Sequence, residues 1–388
     1  MKITSVKTTL VNVPFWQWEA LNSGYRKGAS VTLVEIETDE GLVGVGEALG
    51  NPHPEVIETA IRTSAHLLLG MDAFDVEVIR ARFMGQGRWH SFPHVGNGAF
   101  GGIEIALWDI IGKAAGLPIH KLLGGAVRSE VNLKFYLQRG EPERMCADVR
   151  RALESGYTVI YTKVGVDLEE DLRNVRAVYD ATGGRARLRI DANEAWSVGE
   201  AITFLRRLRA DGIELDWVEQ PTLDRDVDGL RDVRARSPYR IAANQGSWTE
   251  YDALEHVRRR ACDVLCTDIY QVGGMLMFKK VCGLCELAGV PVNRHSWPEL
   301  GVAAAAAVQV LATVPNATDG HQTVYNLLED DIIEGGIPAL RGGDLAVPGG
   351  AGLGVTLDRE RVKHYADHYR RHGPYLSEDT RLNSGRLR

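Results

Sequence analysis

The sequence predicts an α/β protein built mainly as a TIM-like (β/α) barrel, and two observations lead to this fold. Six polar residues recur along the chain: Lys163, Asp191, Glu219, Asn244, Asp268 and His295. Their successive gaps are 28, 28, 25, 24 and 27 residues, and each of them ends a short apolar run. A strand with a returning helix needs about this length, since parallel strands require a crossover connection. Polar side chains at the carboxyl ends of successive parallel strands are typical of a barrel active site.

The part of the chain before these repeats predicts an α+β N-terminal domain. Residues 1–50 alternate between apolar and polar positions around a turn at 39–41, which indicates an antiparallel hairpin or meander. Residues 54–83 and 101–116 have the apolar spacing of helices. The predicted division has three parts: an N-terminal domain at 1–125, a barrel at 126–344 and a tail at 345–388.

Composition excludes several classes of partner. The 388 residues carry a net charge of −7, so the basic surface that nucleic acid requires is missing. The first residues match neither a secretory signal nor a transit peptide. The longest apolar run, 301–314, is too short to span a bilayer and predicts a buried helix. The five cysteines include a lone CxxC pair, Cys282 and Cys285, which indicates reduced thiols and a cytoplasmic protein without membrane contact.

Three of the six repeating residues are suited to bind a hard cation. Asp191, Glu219 and Asn244 offer oxygen ligands at the ends of consecutive predicted strands, and Mg²⁺ prefers octahedral oxygen coordination. The alternatives are solvated strand-end carboxylates and an asparagine that caps the following helix. Lys163 and His295 are proton-transfer groups that would flank the cation.

Four motifs together resemble a known enzyme family. They are GIEIALWDIIGKAAGLPIHKLLGG before the repeats, IDANEAW and WVEQP at the third and fourth strands, and GAGLGVTLD in the tail. Over essentially its whole length the chain resembles the enolase superfamily, and within it the mandelate racemase-like acid-sugar dehydratases. The resemblance implies a (β/α)7β barrel capped by the α+β domain at 1–125, with the tail at 345–388 returning to the cap. It also implies that the barrel binds Mg²⁺ and removes the proton α to the carboxylate of a small acid-sugar substrate. We also expect a homo-oligomer, from a dimer to an octamer.

The match has two departures in the predicted site. The second strand of this family usually ends with two lysines two residues apart; here Lys163 matches the second, and Tyr161 replaces the first. The third ligand position usually holds Asp or Glu. Here it holds Asn244, with Gln245 one residue later as the alternative ligand.

The end of the eighth strand carries two further candidates. Asp319-Gly320-His321, with an asparagine ligand on strand five, resembles the glucarate-type dehydratases. Asp319 and His321 would complete the site of the enolate intermediate or only support His295. Tyr161 would either hydrogen-bond the substrate carboxylate or fill the barrel mouth.

Two residues are the predicted acid/base groups. Lys163 is the predicted base on one face of the substrate, because a lysine in a partly desolvated site can accept a proton. His295 is predicted on the opposite face, where the carboxylate of Asp268 would bind its other ring nitrogen and fix the tautomer. Either group could take the α-proton.

The cap should cover the barrel mouth with the loop 14–28. Trp16, Tyr25, Arg26 and Lys27 would contact the distal end of the substrate. The two cations among them favour a distal carboxylate or many hydroxyls. The alternative is that the aromatic residues only pack the cap on the barrel.

These expectations lead to a Mg²⁺-dependent acid-sugar dehydratase, a hydro-lyase of carbohydrate catabolism. It would remove the α-proton, expel the β-hydroxyl with His295 as acid, and give a 2-keto-3-deoxy acid. Racemisation, epimerisation or cycloisomerisation of a sugar lactone by the same two groups is the alternative. A barrel that has lost catalysis and only binds a ligand is a third reading, because of the substitutions at Tyr161 and Asn244.

Overall fold

The N-terminal part folds as an antiparallel sheet with helices packed against it. The computed structural model describes residues 1–21 and 24–379. The strands are β1 (Ile3–Ala20), β2 (Gly24–Thr38) and β3 (Val43–Ala48). The helices are α1 (Pro54–Ser64), α2 (Val76–Gln86), α3 (Pro93–Ala115) and α4 (Ile119–Leu122). β2 pairs in antiparallel register with both β1 and β3, so the predicted meander is confirmed.

Two helices differ from the sequence prediction. The helix predicted over 54–83 is divided into α1 and α2, because Gly70 adopts a left-handed φ of 77° after a 3-10 turn at Ala65–Leu67. α3 begins at Pro93, ahead of the predicted residue 101, since proline is favoured in the first turn of a helix.

The second part of the chain alternates strands and helices. After the short β4 (Glu130–Asn132), the strands are β5 (Phe135–Leu137), β6 (Val159–Lys163), β7 (Arg187–Asp191), β8 (Trp217–Glu219), β9 (Ile241–Ala243), β10 (Val264–Thr267) and β11 (Val292–Arg294). The intervening helices are α5 (Pro142–Glu154), α6 (Leu168–Thr182), α7 (Val198–Ala210), α8 (Val227–Arg236), α9 (Glu250–Arg258), α10 (Met275–Leu287) and α11 (Gly301–Leu311). Among the described residues, β5 to β11 form one parallel sheet in chain order, which confirms the predicted α/β repeat. The apolar run at 301–314 contains the buried helix α11, as expected.

A segment after α11 contacts both edges of this curled sheet. Ala317 forms a parallel bridge with Val292 in β11, and His321 forms one with Leu133, just before β5. The sheet is therefore barrel-like, with segment 317–321 between its first and last strands.

Glutamates from the N-terminal part bind the first turns of two barrel helices. Glu47 accepts hydrogen bonds from Leu300 N at 2.7 Å and from Ala303 N at 3.1 Å, at the start of α11. Leu300 is the residue before α11, and its side chain cannot accept a hydrogen bond from the first N–H groups of this helix. Glu47 from the N-terminal part supplies the missing acceptor. Glu104 binds the backbone N–H groups at the start of α10 in the same way. These contacts hold the connections that follow β10 and β11.

The C-terminal residues run back to the first sheet. β12 (Asp344–Ala346) pairs with β4, α12 (Arg359–His372) packs against β1, and β13 (Glu378–Asp379) pairs with β2. The end of the predicted tail, 380–388, lies outside the described residues. In the ranges that the structure describes, no helix is long and apolar enough to cross a membrane.

Candidate active site

The structure brings the six repeating residues to one end of the parallel sheet. Each ends its strand or directly follows it, in the order Lys163 (β6), Asp191 (β7), Glu219 (β8), Asn244 (β9), Asp268 (β10) and His295 (β11). All six side chains are buried. This common position is the arrangement that the regular spacing predicts.

Asp191 is held by donors from its own loop and from β6. The Tyr161 hydroxyl and Lys163 Nζ both donate to Asp191 Oδ2, each at 2.5 Å, and Asn193 N donates to Oδ1 at 2.8 Å. Burial, and then the charge of Asp191, raise the pKa of Tyr161 well above its usual value. Tyr161 therefore orients a candidate ligand, a role that neither of the two sequence-based alternatives included.

Glu219 is a buried carboxylate without hydrogen bonds. Within the described ranges neither of its oxygens has a hydrogen-bond donor, and Lys134 Nζ lies 3.8 Å from Oε2. Burial raises the pKa of Glu219, and the charge of Lys134 opposes that shift. Because a buried carboxylate with free lone pairs is costly, this arrangement fits a cation ligand.

Lys134 is a buried cation that the sequence analysis missed. Its Nζ lies 3.3 Å from the centre of the Tyr161 ring, and burial lowers its pKa although Glu219 opposes the shift. Alternation along the run 131–138 places Lys134 and Tyr136 on the same face of one strand. A charged residue at an inward position of a predicted strand was the available signal.

Asn244 directly follows β9, the strand that pairs with β8 and its Glu219, and Gln245 faces a different space. The amide nitrogen Nδ2 of Asn244 donates to the carbonyl oxygen of Cys266 at 3.3 Å, so this nitrogen is directed towards β10. Gln245 lines a separate cavity of about 450 Å³ together with Trp248. The placement favours Asn244 over Gln245 as a third ligand.

Asp191, Glu219 and Asn244 fit a Mg²⁺ site. The strand register sets Asp191 directly opposite Glu219, so the two carboxylates are neighbours. The part of the chain that the structure describes contains no group of three or more His, Cys, Asp or Glu side chains arranged to hold a metal. A third protein ligand beside this carboxylate pair would therefore come from another residue type, such as the amide oxygen of Asn244. With Mg²⁺, two carboxylates and a neutral amide would give zero net charge.

His295 is not bound by Asp268, so the predicted orienting hydrogen bond is wrong for this structure. Among the described residues His295 Nδ1 has no partner. Asp268 Oδ1 instead accepts from Tyr270 N at 2.7 Å, and Oδ2 lies 3.3 Å from Arg294 Nε. The buried guanidinium next to His295 in sequence attracts the carboxylate more strongly than a neutral imidazole does. Burial raises the pKa of Asp268 to about 7 against the charge of Arg294.

Asp319 lies at the opposite end of the barrel, so its prediction as a strand-end site residue is wrong. Its side chain is 65% exposed and lies 3.3 Å from Arg187, which begins β7, whereas Asp191 ends that strand. The register gives the reason. Gln322 N donates to Arg294 O at 2.9 Å, so Gln322 and not Asp319 reaches the level at which β11 ends.

His321 is buried beside the strand that carries His295. Its Nδ1 accepts a hydrogen bond from Arg294 N at 2.9 Å. Burial, followed by nearby cations, lowers the pKa of His321 well below its usual value. This contact ties His321 to the residue before His295, and its two predicted roles, in the enolate site or in support of His295, stay predictions.

The four predicted cap residues already have partners. Trp16 Nε1 donates to Asn326 O at 2.8 Å, and Tyr25 stacks on Trp18 with ring centres 5.1 Å apart. Lys27 Nζ lies 5.4 Å from the centre of the Tyr25 ring. Arg26 pairs with Glu19, which the sequence analysis did not single out.

Family comparison identifies both parts of the chain. A family model described as "Mandelate racemase / muconate lactonizing enzyme, N-terminal domain" matches residues 4–124. A second, described as "Enolase C-terminal domain-like", matches residues 144–362. The protein belongs to the enolase superfamily. Within it, the chain is a member of the mandelate racemase and muconate lactonizing enzyme group, as its motifs indicated.

Three similar proteins are isomerases. The D-galactarolactone cycloisomerase of Agrobacterium fabrum is 32% identical over 94% of this chain and 99% of that protein. The chloromuconate cycloisomerase of Cupriavidus pinatubonensis is 30% identical over 88% of this chain and 92% of that protein. The solved dipeptide epimerase of Enterococcus faecalis, complexed with Mg and L-Leu-L-Tyr, has a TM-score of 0.85 and 29% identity over 92% of this chain and 100% of that chain. These matches support an enzyme of the superfamily and do not show the hydro-lyase activity expected from the sequence.

Proposed function

We propose that this protein is an isomerase that removes and returns the proton α to the carboxylate of a hydroxylated acid or its lactone. One observation carries the proposal. The buried proton-transfer groups Lys163 and His295 lie on strands that flank the carboxylate pair Asp191 and Glu219. Burial, and then the charge of Lys163, hold the pKa of His295 well below 6.5, so the two groups are close enough to influence each other.

The bridges from segment 317–321 to both sheet edges support a closed (β/α)7β barrel with that segment as the eighth strand. In such a barrel only β5 and the segment separate Lys163 from His295. The two groups would then face each other across the mouth, where one substrate could contact both.

The chemistry needs both groups. One removes the α-proton, and the C–H electron pair moves into the carboxylate to give an enolate; the other returns a proton to the opposite face, which inverts the α-carbon. Where the β-carbon carries the lactone ring oxygen, the same enolate expels that oxygen as a carboxylate, which opens the ring. The enol left at a hydroxylated α-carbon then takes a proton on the β-carbon and gives up its hydroxyl proton to become a ketone. Apart from the ionisable proton of the new carboxylic acid, substrate and product are isomers in both courses.

Asp191, Glu219 and Asn244 would hold the metal ion. When bound, Mg²⁺ supplies stabilisation for the second negative charge that develops on the substrate carboxylate. Tyr161 keeps Asp191 oriented through its 2.5 Å hydrogen bond. The E. faecalis epimerase with bound Mg supports this assignment by similarity.

Acid-sugar dehydration starts from the same enolate and is the second candidate. One observation favours it: a neutral His295 that takes the α-proton becomes an acid able to protonate a departing β-hydroxyl. The isomerase relatives favour the first candidate.

Proton exchange in D2O tests the proposal. The protein with Mg²⁺ is incubated with a panel of sugar acids and their lactones, and NMR follows loss of the α-proton signal. Exchange with formation of an epimer or a ring-opened isomer is expected, and both Lys163→Ala and His295→Asn should abolish isomer formation. A 2-keto acid formed from an open-chain acid with loss of water assigns the dehydratase instead. Absence of exchange with every acid that binds overturns the catalytic proposal.

A further inference from the structure

The cap places a buried acid at the barrel mouth. Glu19 on β1 is the register partner of Arg26 on β2. Arg26 Nη1 lies 3.1 Å from Glu19 Oε2, and their side chains are only 11% and 5% exposed. A carboxylate and a guanidinium in contact contribute no net charge to this part of the site.

The two cationic side chains of the cap, Arg26 and Lys27, already contact other residues of the protein. Arg26 donates to Ser377 Oγ through Nε at 3.2 Å and through Nη2 at 2.9 Å. Lys27 Nζ lies 5.0 Å from the centre of the Trp18 ring and 5.4 Å from that of Tyr25. The distal carboxylate that these cations suggested in the sequence would have to compete with Glu19 for Arg26.

Several polar atoms around Glu19 are buried and lack a hydrogen bond of normal geometry to any described residue. They are Glu19 Oε2, the Tyr136 hydroxyl, Gln138 Nε2 and Asn326 Oδ1. Glu19 Oε2 is in ion-pair contact with Arg26, and the Tyr136 hydroxyl is close to the Glu19 carboxylate, so Gln138 Nε2 and Asn326 Oδ1 are the atoms of this cluster with most bonding capacity left. Contacts join them into one cluster: Gln138 Oε1 accepts from Ala20 N at 2.6 Å, next to Glu19, and Asn326 Nδ2 donates to Tyr136 O at 3.1 Å. Donors and acceptors are mixed, which is what hydroxyl groups match, since each hydroxyl both donates and accepts.

The cluster adjoins the candidate catalytic groups. The Tyr136 ring centre lies 5.3 Å from that of Tyr161 and 6.0 Å from Lys163 Nζ. Burial raises the pKa of Tyr136 well above its usual value, and the charges of Glu19 and Asp191 add to that shift, so Tyr136 lies between the two carboxylates. A substrate whose carboxylate lies near Asp191 would extend its other end past Tyr136 towards Glu19.

We propose that Glu19, Tyr136 and Gln138 form a subsite for the uncharged, hydroxyl-bearing end of a substrate that has one carboxylate. This inference rests on the proposed function for one point only, which is that the reacting carboxylate of the substrate lies near Asp191, at the end of the substrate opposite this subsite. A second carboxylate would find Arg26 neutralised and would approach Glu19. Hydroxyls or a lactone would instead pair with Gln138 Nε2 and Asn326 Oδ1, and hydroxyls also with the remaining lone pairs of Glu19 and Tyr136. A buried polar group left unpaired is costly, so the subsite discriminates against groups that do not match it.

The test compares two acids that differ only at the distal end: galactonate, with a terminal hydroxymethyl group, and galactarate, with a second carboxylate. Calorimetry with Mg²⁺ present gives binding, and α-proton exchange in D2O gives kcat/KM. Tighter binding of galactonate, by about tenfold or more, is expected. Tighter binding of galactarate, or binding of neither acid, overturns the inference. Binding with the expected preference but without exchange overturns the proposed function and leaves the subsite standing.

Variants make the test specific to the charge pair. Glu19→Gln keeps an oxygen acceptor and frees the charge of Arg26, so the ratio of galactonate to galactarate affinity should fall about tenfold. Tyr136→Phe keeps the ring and should weaken galactonate binding more than galactarate binding. Glu37→Gln on the same hairpin removes an exposed partner of Lys7 and should leave the ratio unchanged. A ratio measured within one variant is independent of the fraction that folds. An unchanged ratio in both Glu19→Gln and Tyr136→Phe removes these residues from recognition.

Discussion

Lys163 Nζ donates a 2.5 Å hydrogen bond to Oδ2 of Asp191, the carboxylate that is also the first candidate metal ligand. The lysine and a metal ion would therefore compete for one oxygen. Metal binding should release the Lys163 ammonium from Asp191 and free it for proton transfer. In the metal-bound enzyme the remaining partner of Oδ2 on β6 would be the Tyr161 hydroxyl.

This competition predicts opposite effects of one substitution on binding and on turnover. Lys163→Met removes the competing cation, so the Kd for Mg²⁺ should fall by about tenfold, since two like charges at short distance repel strongly in a buried site. Isomer formation should be lost in the same variant. Calorimetric titration with Mg²⁺ measures the first effect, and Lys163→Arg, which keeps the charge, is the control. Weaker Mg²⁺ binding by the methionine variant would contradict the competition.

The third ligand can be identified by adjacent substitutions. Asn244→Ala should weaken Mg²⁺ binding by at least about tenfold, because the carboxylate pair would lose the amide oxygen proposed as the third ligand. Gln245→Ala should change Mg²⁺ affinity little, since Gln245 lines the separate cavity beside Trp248. The same titration measures both variants. A larger loss of Mg²⁺ affinity in Gln245→Ala than in Asn244→Ala would identify Gln245 as the ligand instead.

The buried position of His295 predicts its pH dependence. Burial and the charge of Lys163 hold the pKa of its imidazole well below 6.5, so the neutral form persists as pH falls through that value. In the reaction direction in which His295 acts as base, the rate of α-proton removal should therefore stay constant as pH falls to 6.5. It should decrease only at pH values below 6.5. The pH profile of kcat/KM for α-proton exchange measures this. A midpoint at or above pH 6.5 would show that His295 is more easily protonated in the working enzyme than its surroundings indicate.

His295 itself should be indispensable. His295→Asn keeps a polar side chain of similar size but cannot take up a proton, so isomer formation should fall about 10²–10⁴-fold. Asp268→Asn should cost less, because Asp268 binds Tyr270 N and Arg294 rather than the imidazole. Rate measurements on both variants under saturating Mg²⁺ compare the two. Equal losses would indicate that Asp268 orients His295 during the reaction.

The sequence predicted the parts of the site that depend on local spacing. Each strand–helix unit has nearly the same length, so the residue that ends each strand lies at the same end of the sheet. All six repeating polar residues follow this rule. The rule failed at Asp319 because segment 317–321 contacts the sheet through two isolated bridges and is shifted along β11. As a result Gln322, just after this segment, lies level with the end of β11.

Other features depend on contacts between distant residues, which spacing does not encode. The β1–β2 register makes Glu19 the partner of Arg26. The sequence alone does not give this register, so it could not identify Glu19. The preference of Asp268 for Arg294 over His295 depends on which side chains share a buried space. Lys134 was predictable in principle, because alternation along the predicted strand at 131–138 puts this lysine on the same face as Tyr136.

The contact between Glu47 and α11 predicts how stability depends on pH. Burial raises the pKa of Glu47 to about 8, against the N–H groups of Leu300 and Ala303, whereas the unfolded chain has the ordinary value of 4.5. The folded state therefore binds the extra proton, so this contribution to stability is complete below pH 4.5 and is lost as pH rises through 8, with a slope of up to about 1.4 kcal/mol per pH unit. Glu47→Gln cannot titrate and should flatten the fall in denaturant midpoint between pH 5.5 and 8, whereas Glu37→Gln on β2 should not. Parallel pH curves for Glu47→Gln and the unsubstituted protein would show that Glu47 is ionised in the folded state across this range.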